Sequence, residues 1–317
     1  MADVPQKIAT RAAYGKALVR LGEINRDVVV LDADLSKSTR TDAFAKKFPE
    51  RFFDMGIAEA DMMGTAAGLA ASGKIPFASS FAIFASGRAY DQVRQTAGYC
   101  RLNVKIGASH GGITVGEDGA SHQSIEDVAL MRVIPGMTVI VPADAIETEQ
   151  AVFAAARHEG PVYIRTGRSA VPIVFDEGYK FEIGKAATVC EGNDVTIIAC
   201  GVMLSASLEA ADILCGQGVS ARVLNMATIK PIDVEAVVKA AEETGALVTA
   251  EEHSIIGGLG SAVSEVVGEM CPVPVERIGV RDVFGQSGTP DELMKVYSLT
   301  ADDIVRAAVR AIERNGT

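Results

Sequence analysis

Short apolar runs rich in Val, Ile and Leu alternate along this chain with Ala-rich stretches whose apolar residues recur every three or four positions. The first pattern is that of a strand covered on both faces, the second that of an amphipathic helix. In the first half the pattern predicts strands over 27–31, 51–54, 76–79, 104–108, 138–141 and 162–165, with helices over 10–21, 58–72, 86–99 and 145–158. A polar, Gly-containing joint at 175–184 interrupts it. It restarts with strands over 187–189, 195–199, 220–225, 246–251 and 275–278 and helices over 204–217, 233–244, 259–270 and 301–314. Connections are short and carry Gly, Asp or Pro, as strand–helix units require. The expected fold is α/β: two successive doubly wound domains with mainly parallel sheets, residues 1–175 and 185–317, without internal repeats.

Length agrees, because 317 residues exceed one typical domain and an apolar fraction of 48% is enough for two cores. The formal charge of −11 argues against non-specific nucleic-acid binding, which needs positive patches facing phosphate. A local arginine cluster that holds an anionic substrate remains compatible with it. Cys100, Cys190, Cys200, Cys215 and Cys271 show no CxxC pair and no metal-ligand spacing, so they read as buried, reduced thiols of a cytoplasmic protein. The N-terminal Met-Ala-Asp-Val-Pro-Gln-Lys lacks the charged-then-apolar pattern of a secretion signal, and no 18-residue apolar segment occurs. Neither secretion nor membrane spanning is expected.

Candidate chemistry concentrates in Ser109–Gln123, between two predicted elements. The segment holds His110 and His122, the acidic pair Glu117 and Asp118, and several glycines that let backbone approach a ligand. Histidines and carboxylates there supply hydrogen-bond partners and proton carriers near neutral pH. Glu59 opens an Ala/Gly-rich helix after a strand, either as a helix-start acid satisfying free amides or as a buried carboxyl that shares a proton with a ligand nitrogen. Phe81 and Phe84 stand three residues apart beside small residues, either as core or as one wall of a flat heterocycle's pocket. Arg11, Ser38 and Arg168 lie at element ends, and arginine is suited to bidentate phosphate contacts. Gly-Gly-Leu-Gly at 257–260 opens a helix after a strand, where an anion could bind on generic grounds, although packing explains it better, with His253 as a structural side chain.

The order Gly-Ile-Ala-Glu at 56–59, Phe-x-x-Phe at 81–84 and Gly-Glu-Asp-Gly-Ala-Ser-His-Gln at 116–123 closely resembles the C-terminal half of transketolases over essentially the whole chain. It is similar to the stand-alone C-terminal subunit of split transketolases, with a pyrimidine-binding and a C-terminal domain. The resemblance implies two-carbon ketol transfer between sugar phosphates on thiamine diphosphate. It makes Glu59 the glutamate that hydrogen-bonds the aminopyrimidine ring, and Phe81 with Phe84 the aromatic wall of that pocket. Asp118 and His122 would meet the donor sugar and its reacting ketol group, His110 the acceptor and its phosphate, and Arg11, Ser38 and Arg168 the phosphate tail. A tyrosine common just after the aromatic pair in single-chain transketolases falls near Gly87 or Arg88, so the resemblance does not carry that contact over.

The chain also lacks the Gly-Asp-Gly and later Asn that in this superfamily hold the cofactor diphosphate through Mg2+ or Ca2+, since Glu117-Asp118-Gly119 is a different motif. The resemblance therefore implies half an active site and no metal ligands here. A separately encoded N-terminal, diphosphate-binding subunit would complete it, with two copies of each chain in a heterotetramer. The initial Met agrees with a natural subunit. The competing readings are another half of a thiamine-diphosphate enzyme or a non-catalytic regulatory paralogue. A 2-oxo acid dehydrogenase beta subunit is disfavoured by Glu117, Asp118 and His122, which suit a polyhydroxylated sugar. A deoxyxylulose phosphate synthase is harder to exclude, because Arg88-Ala-Tyr-Asp-Gln-Val93 resembles it too, although a synthase carries both halves in one chain. The intact set Glu59, His110, Asp118, His122 and Arg168 argues against a pure scaffold.

Overall fold

In a computed structural model, which describes residues 6–316, Val28-Val-Val-Leu-Asp32 is buried at every position. A run covered on both faces can only be an interior strand, and this one lies in a seven-stranded sheet. Phe52–Asp54 pairs with it on one side and Ile75–Phe81 on the other, followed outward by Lys105–Ser109, Val162–Arg165 and Thr138–Ile140, all parallel. The second sheet runs Val275–Val280, Leu247–Ser254, Val195–Ala199 and Ala221–Asn225 in parallel, with Ala187–Cys190 antiparallel at the edge. Two α/β domains with mainly parallel sheets are thus present, as expected from the periodicity. Residues 1–5, which carry most of the N-terminal stretch read as lacking a secretion signal, lie outside the described residues. No described helix is long and apolar enough to cross a membrane.

The helices bury the stripes their periodicity predicts. Helix Thr10–Ile24 buries Tyr14, Ala17, Leu18 and Leu21. Helix Ala145–Arg157 starts where Asp144 accepts a hydrogen bond from the Glu147 amide at 2.8 Å, and Ala301–Asn315 starts at a Thr300/Asp303 capping box. One apolar cluster runs from Val139, Val141 and Tyr163 of the first sheet into Ile198, Leu224 and Val263 of the second, so the domains share a core.

Besides short helices at Asp42–Lys47, Asp127–Arg132 and Pro290–Val296 that the pattern does not predict, three features depart from it. Thr228–Lys230, in the second half of the chain, pairs antiparallel with Thr138–Ile140 and extends the first sheet; three residues are too few to show a period. Lys7–Ala9 pairs antiparallel with Ala170–Pro172, and the Gly167 amide donates to Thr10 Oγ1 at 2.7 Å, which brings Arg11 to the same end of the sheet as Arg168. The segment expected as one regular helix over 86–99 instead has wide π-type turns at Phe84–Arg88 and Val93–Tyr99 around a short α turn. Ser86 and Thr96 return their hydroxyls to the Ala82 and Gln92 carbonyls at 2.7 and 2.6 Å, and such back-bonding competes with regular helical pairing. Of the five cysteines expected to be buried, Cys200 alone is; Cys100 and Cys215 are exposed and Cys190 and Cys271 half-buried, since a thiol on the outer face of an element has no neighbouring layer to cover it.

Candidate active site

In a parallel sheet every strand delivers its chain to the same edge, and the crevice beyond the carboxyl ends of the strands is where ligands bind. Here Val28–Asp32 leads to Ser38, Phe52–Asp54 to Glu59, Ile75–Phe81 to Phe84, Lys105–Ser109 to His110, Asp118 and His122, and Val162–Arg165 to Arg168. The chain order scatters these residues; the topology places them on one edge.

The contacts form a continuous path. Glu59, the first residue of helix Glu59–Ala71, is 4% exposed, and its Oε1 accepts from Arg88 Nη1 at 3.1 Å. The Arg88 guanidinium also lies 3.9 Å from the centroid of the Phe84 ring. Phe84 stacks with Phe81 at 5.7 Å, and His122 meets Phe84 edge-on at 5.4 Å. Phe81 stacks on His110 at 3.8 Å, His110 Nε2 is 3.4 Å from Arg11 Nη1, and that same arginine nitrogen donates to the Ser38 carbonyl at 2.8 Å. Ser38 meets Arg11 through its backbone oxygen. Arg168 closes the far side, donating to the Val115 carbonyl and to Glu117 Oε2 at 3.1 Å, with Asp118 Oδ2 at 3.9 Å.

The electrostatics divide this path into two ends. Arg11, Arg40 and Arg168 surround His110, and burial together with their charge pushes its pKa down to about 3. The same burial and like charges lower the Arg11 pKa, and its buried Nε has no hydrogen-bond partner among the described residues. An anion placed at this end would relieve the repulsion among these arginines. Because an arginine only donates, Nε2 of His110 accepts and the ring hydrogen sits on Nδ1, facing Ser109 Oγ at 2.9 Å. His110 is therefore uncharged near neutral pH, with an Nε2 able to accept a hydrogen bond.

A pH dependence follows. The unfolded ring binds protons below its ordinary pKa of 6.5 while the folded ring does not until about pH 3, so His110 favours the folded state above that window and works against it as pH falls through it. Asp32 and Glu147, whose pKa values burial raises to about 6 and about 7, act in the opposite sense, so bulk acid titration mixes the two. The clean measurement is NMR of the His110 ring, which is expected to show no titration step between pH 8 and pH 5; a midpoint near the ordinary histidine value would refute the buried, arginine-surrounded description.

Sequence reasoning missed Arg40 and Arg88. Arg40 ends the short helix Ser36–Thr39 with φ +71°, and its signal was only its place two residues after Ser38. Arg88 follows Phe84 by four residues, in the position already noted for its missing tyrosine. The glycine loop at 257–260 has its own occupant, because the Glu251 carboxylate accepts from the Leu259 and Gly260 amides at 2.7 and 2.8 Å. His253, with Nδ1 2.7 Å from the Ser254 carbonyl oxygen, sits beside it. Among the described residues no group of three or more His, Cys, Asp or Glu side chains could hold a metal ion.

Comparison with known proteins identifies the family. Models of the transketolase pyrimidine-binding domain and the transketolase C-terminal domain match residues 6–174 and 184–304. A solved chain described as a split-gene transketolase in an inactive beta4 tetramer is 58% identical, covers 97% of this chain and 99% of its own length, and superposes with a TM-score of 0.92. A subunit of the 6-deoxy-6-sulfo-D-fructose transketolase of Clostridium sp. (strain MSTE9) is 49% identical over 96% of this chain and 94% of its own. A subunit of the apulose-4-phosphate transketolase of Phocaeicola vulgatus is 41% identical over 97% and 98%.

Proposed function

Because the chain belongs to the transketolase family, as its pyrimidine-binding and C-terminal domains, we propose that it is the C-terminal subunit of a split transketolase, moving a two-carbon ketol unit from a ketose phosphate to an aldose phosphate. We assign residues 1–175 to the first domain and 185–317 to the second. The observation that carries the reading is the unbroken path from a buried carboxylate through an aromatic wall to two histidines and an arginine cluster at one sheet edge. The residues fit the aminopyrimidine half of thiamine diphosphate: Glu59 is a buried acceptor at a helix start, and Phe81 and Phe84 offer stacked flat surface. When bound, thiamine diphosphate supplies the electron sink for cleaving a bond next to a carbonyl, which side chains cannot supply.

The protein's own residues then divide the remaining work. Glu59 holds a proton-bearing nitrogen in place, His122 and Asp118 orient the ketol hydroxyls, neutral His110 donates or accepts one hydrogen bond, and Arg11, Arg40 and Arg168 restrain phosphate. The diphosphate and its Mg2+ or Ca2+ fall to an N-terminal partner subunit, with two copies of each chain in a cytoplasmic heterotetramer. The related chain whose description is an inactive tetramer of beta subunits supports the view that this half alone does not turn over.

The test is ketol transfer from xylulose 5-phosphate to ribose 5-phosphate, with thiamine diphosphate and magnesium, by this chain alone and mixed with its partner. Activity confined to the mixture is the expected result; none in a complex shown to bind cofactor refutes it. The sulfofructose and apulose relatives favour a second reading, transfer on a modified sugar, so 6-deoxy-6-sulfofructose and apulose 4-phosphate belong in the same assay. In that assay Arg168→Ala is expected to raise KM for a phosphorylated donor by roughly 10- to 100-fold, the worth of one charge-assisted contact, and to leave hydroxypyruvate nearly unchanged. Equal effects on both donors would make Arg168 a packing residue.

A further inference from the structure

Segment Ser109–Gln123 carries His110, Asp118 and His122, yet within it only the six residues Ile113–Asp118 have helical hydrogen bonding, and Gly116 breaks that turn with φ +85°. Its order comes largely from the second domain. Glu252, 3% exposed on strand Leu247–Ser254, sends its carboxylate across the domain boundary, where Oε1 accepts from the Thr114 amide at 2.6 Å. Gly112, with φ +85°, lies so close that a Cβ there would come within 2.2 Å of the Glu252 carboxyl carbon. Arg165, the last residue of strand Val162–Arg165 in the first sheet, donates to both the Glu252 carbonyl at 2.9 Å and the Ser124 carbonyl at 3.1 Å. At the other end of the loop Gln123 Nε2 faces the carbonyls of Ile113, Gly116 and, from the second domain, Gln286, at 3.1, 3.2 and 2.9 Å.

A buried acceptor is costly unless its hydrogen bond is made, so this contact holds the loop to one geometry. Burial raises the pKa of Glu252, opposed by Arg165 and by the hydrogen bond from the Thr114 amide. We infer that Glu252 is a positioning residue for the transfer reaction, and that the second domain serves the site by clamping the His110–His122 loop through Glu252 and through the Gln286 carbonyl. The kinetic half of this inference rests on the ketol-transfer reading; the anchoring half does not.

The experiment compares wild type, Glu252→Gln and Glu252→Ala in the complex with the partner subunit. Amide hydrogen exchange is read across residues 109–123, alongside thiamine diphosphate affinity, kcat and KM. Glu252→Ala is expected to speed exchange in this loop by roughly 10- to 100-fold with the rest of the chain unchanged. It is also expected to lower kcat by about 10- to 100-fold, the cost of a small misplacement of groups around the reacting atoms. Cofactor affinity, set on other strands, should hold. Glu252→Gln keeps an acceptor for the Thr114 amide and should restore both readouts. Loop exchange as in wild type in Glu252→Ala, or a rise spread over the whole chain, overturns the anchor. Selective loosening with unchanged kcat overturns the positioning role. Selective loosening in a complex whose wild type transfers no ketol supports the anchor and counts against the transferase reading instead.

Discussion

Glu59→Gln is expected to lower kcat of the reconstituted complex by roughly 10²- to 10⁴-fold, the range of a lost acid–base partner. The substitution keeps size and shape at a site only 4% exposed, so the fold and helix Glu59–Ala71 should survive. What goes is the negative charge and the ability to exchange a proton with a ring nitrogen. The structure also offers a control, because in it Glu59 is paired with Arg88, whose side chain is 52% exposed. If Glu59 served only to hold Arg88, Arg88→Ala would cost as much as Glu59→Gln. The expected result is a large loss for Glu59→Gln and a smaller one for Arg88→Ala, measured as kcat with cofactor binding followed separately. Near-normal turnover in Glu59→Gln would remove the cofactor-activation role altogether.

The largest effect on stability is expected at Arg165. Its Nε donates at 2.9 Å to Asp127 Oδ2, which also accepts from the Tyr163 hydroxyl at 2.7 Å, and the two charged side chains are 6% and 0% exposed. The Asp127 charge keeps the Arg165 guanidinium ionised despite burial, and the second oxygen, Oδ1, has no partner among the described residues. Arg165→Met therefore leaves a buried, half-satisfied carboxylate and should cost about 3–5 kcal/mol. Arg165→Met with Asp127→Leu removes both charges and should recover part of that loss, the remainder being the cost of the Tyr163 hydroxyl and the Ser124 and Glu252 carbonyls left without these partners. Denaturant unfolding of the three proteins decides it. A single-variant loss below about 1 kcal/mol, the scale of an exposed pair, would show that water reaches the ion pair.

The path from Glu59 to Arg168 shows how far the chain could be read before it was seen folded. The motifs at 56–59, 81–84 and 116–123 brought Glu59, Phe81, Phe84, Asp118 and His122 into one hypothesis because each is a local cluster of unusual residue types. Arg40 escaped it because a lone arginine on a polar stretch has no local signature, and Arg88, although inside a quoted motif, because nothing local shows that it reaches Glu59. Arg40 matters through its charge beside His110, 70 positions away in sequence, and Arg88 through a contact with Glu59, 29 positions away. Glu252 was in plain view in Glu251-Glu-His253, but its partner Thr114 is 138 residues off.

By itself the sequence determined the alternation of strands and helices, the restart after 184 and the family. Those depend on which face of each element is apolar and on short motifs, and both are carried by neighbouring residues. Only the tertiary structure decided that Thr228–Lys230 joins the first sheet, that the 84–99 segment winds in π-type turns, that four of the five cysteines are not fully buried, and that Arg11, Arg40 and Arg168 gather around His110. Each of these is set by what lies within a few ångströms in space. Water is excluded and charges gather there by packing elements distant in the chain, and no period in the sequence records that.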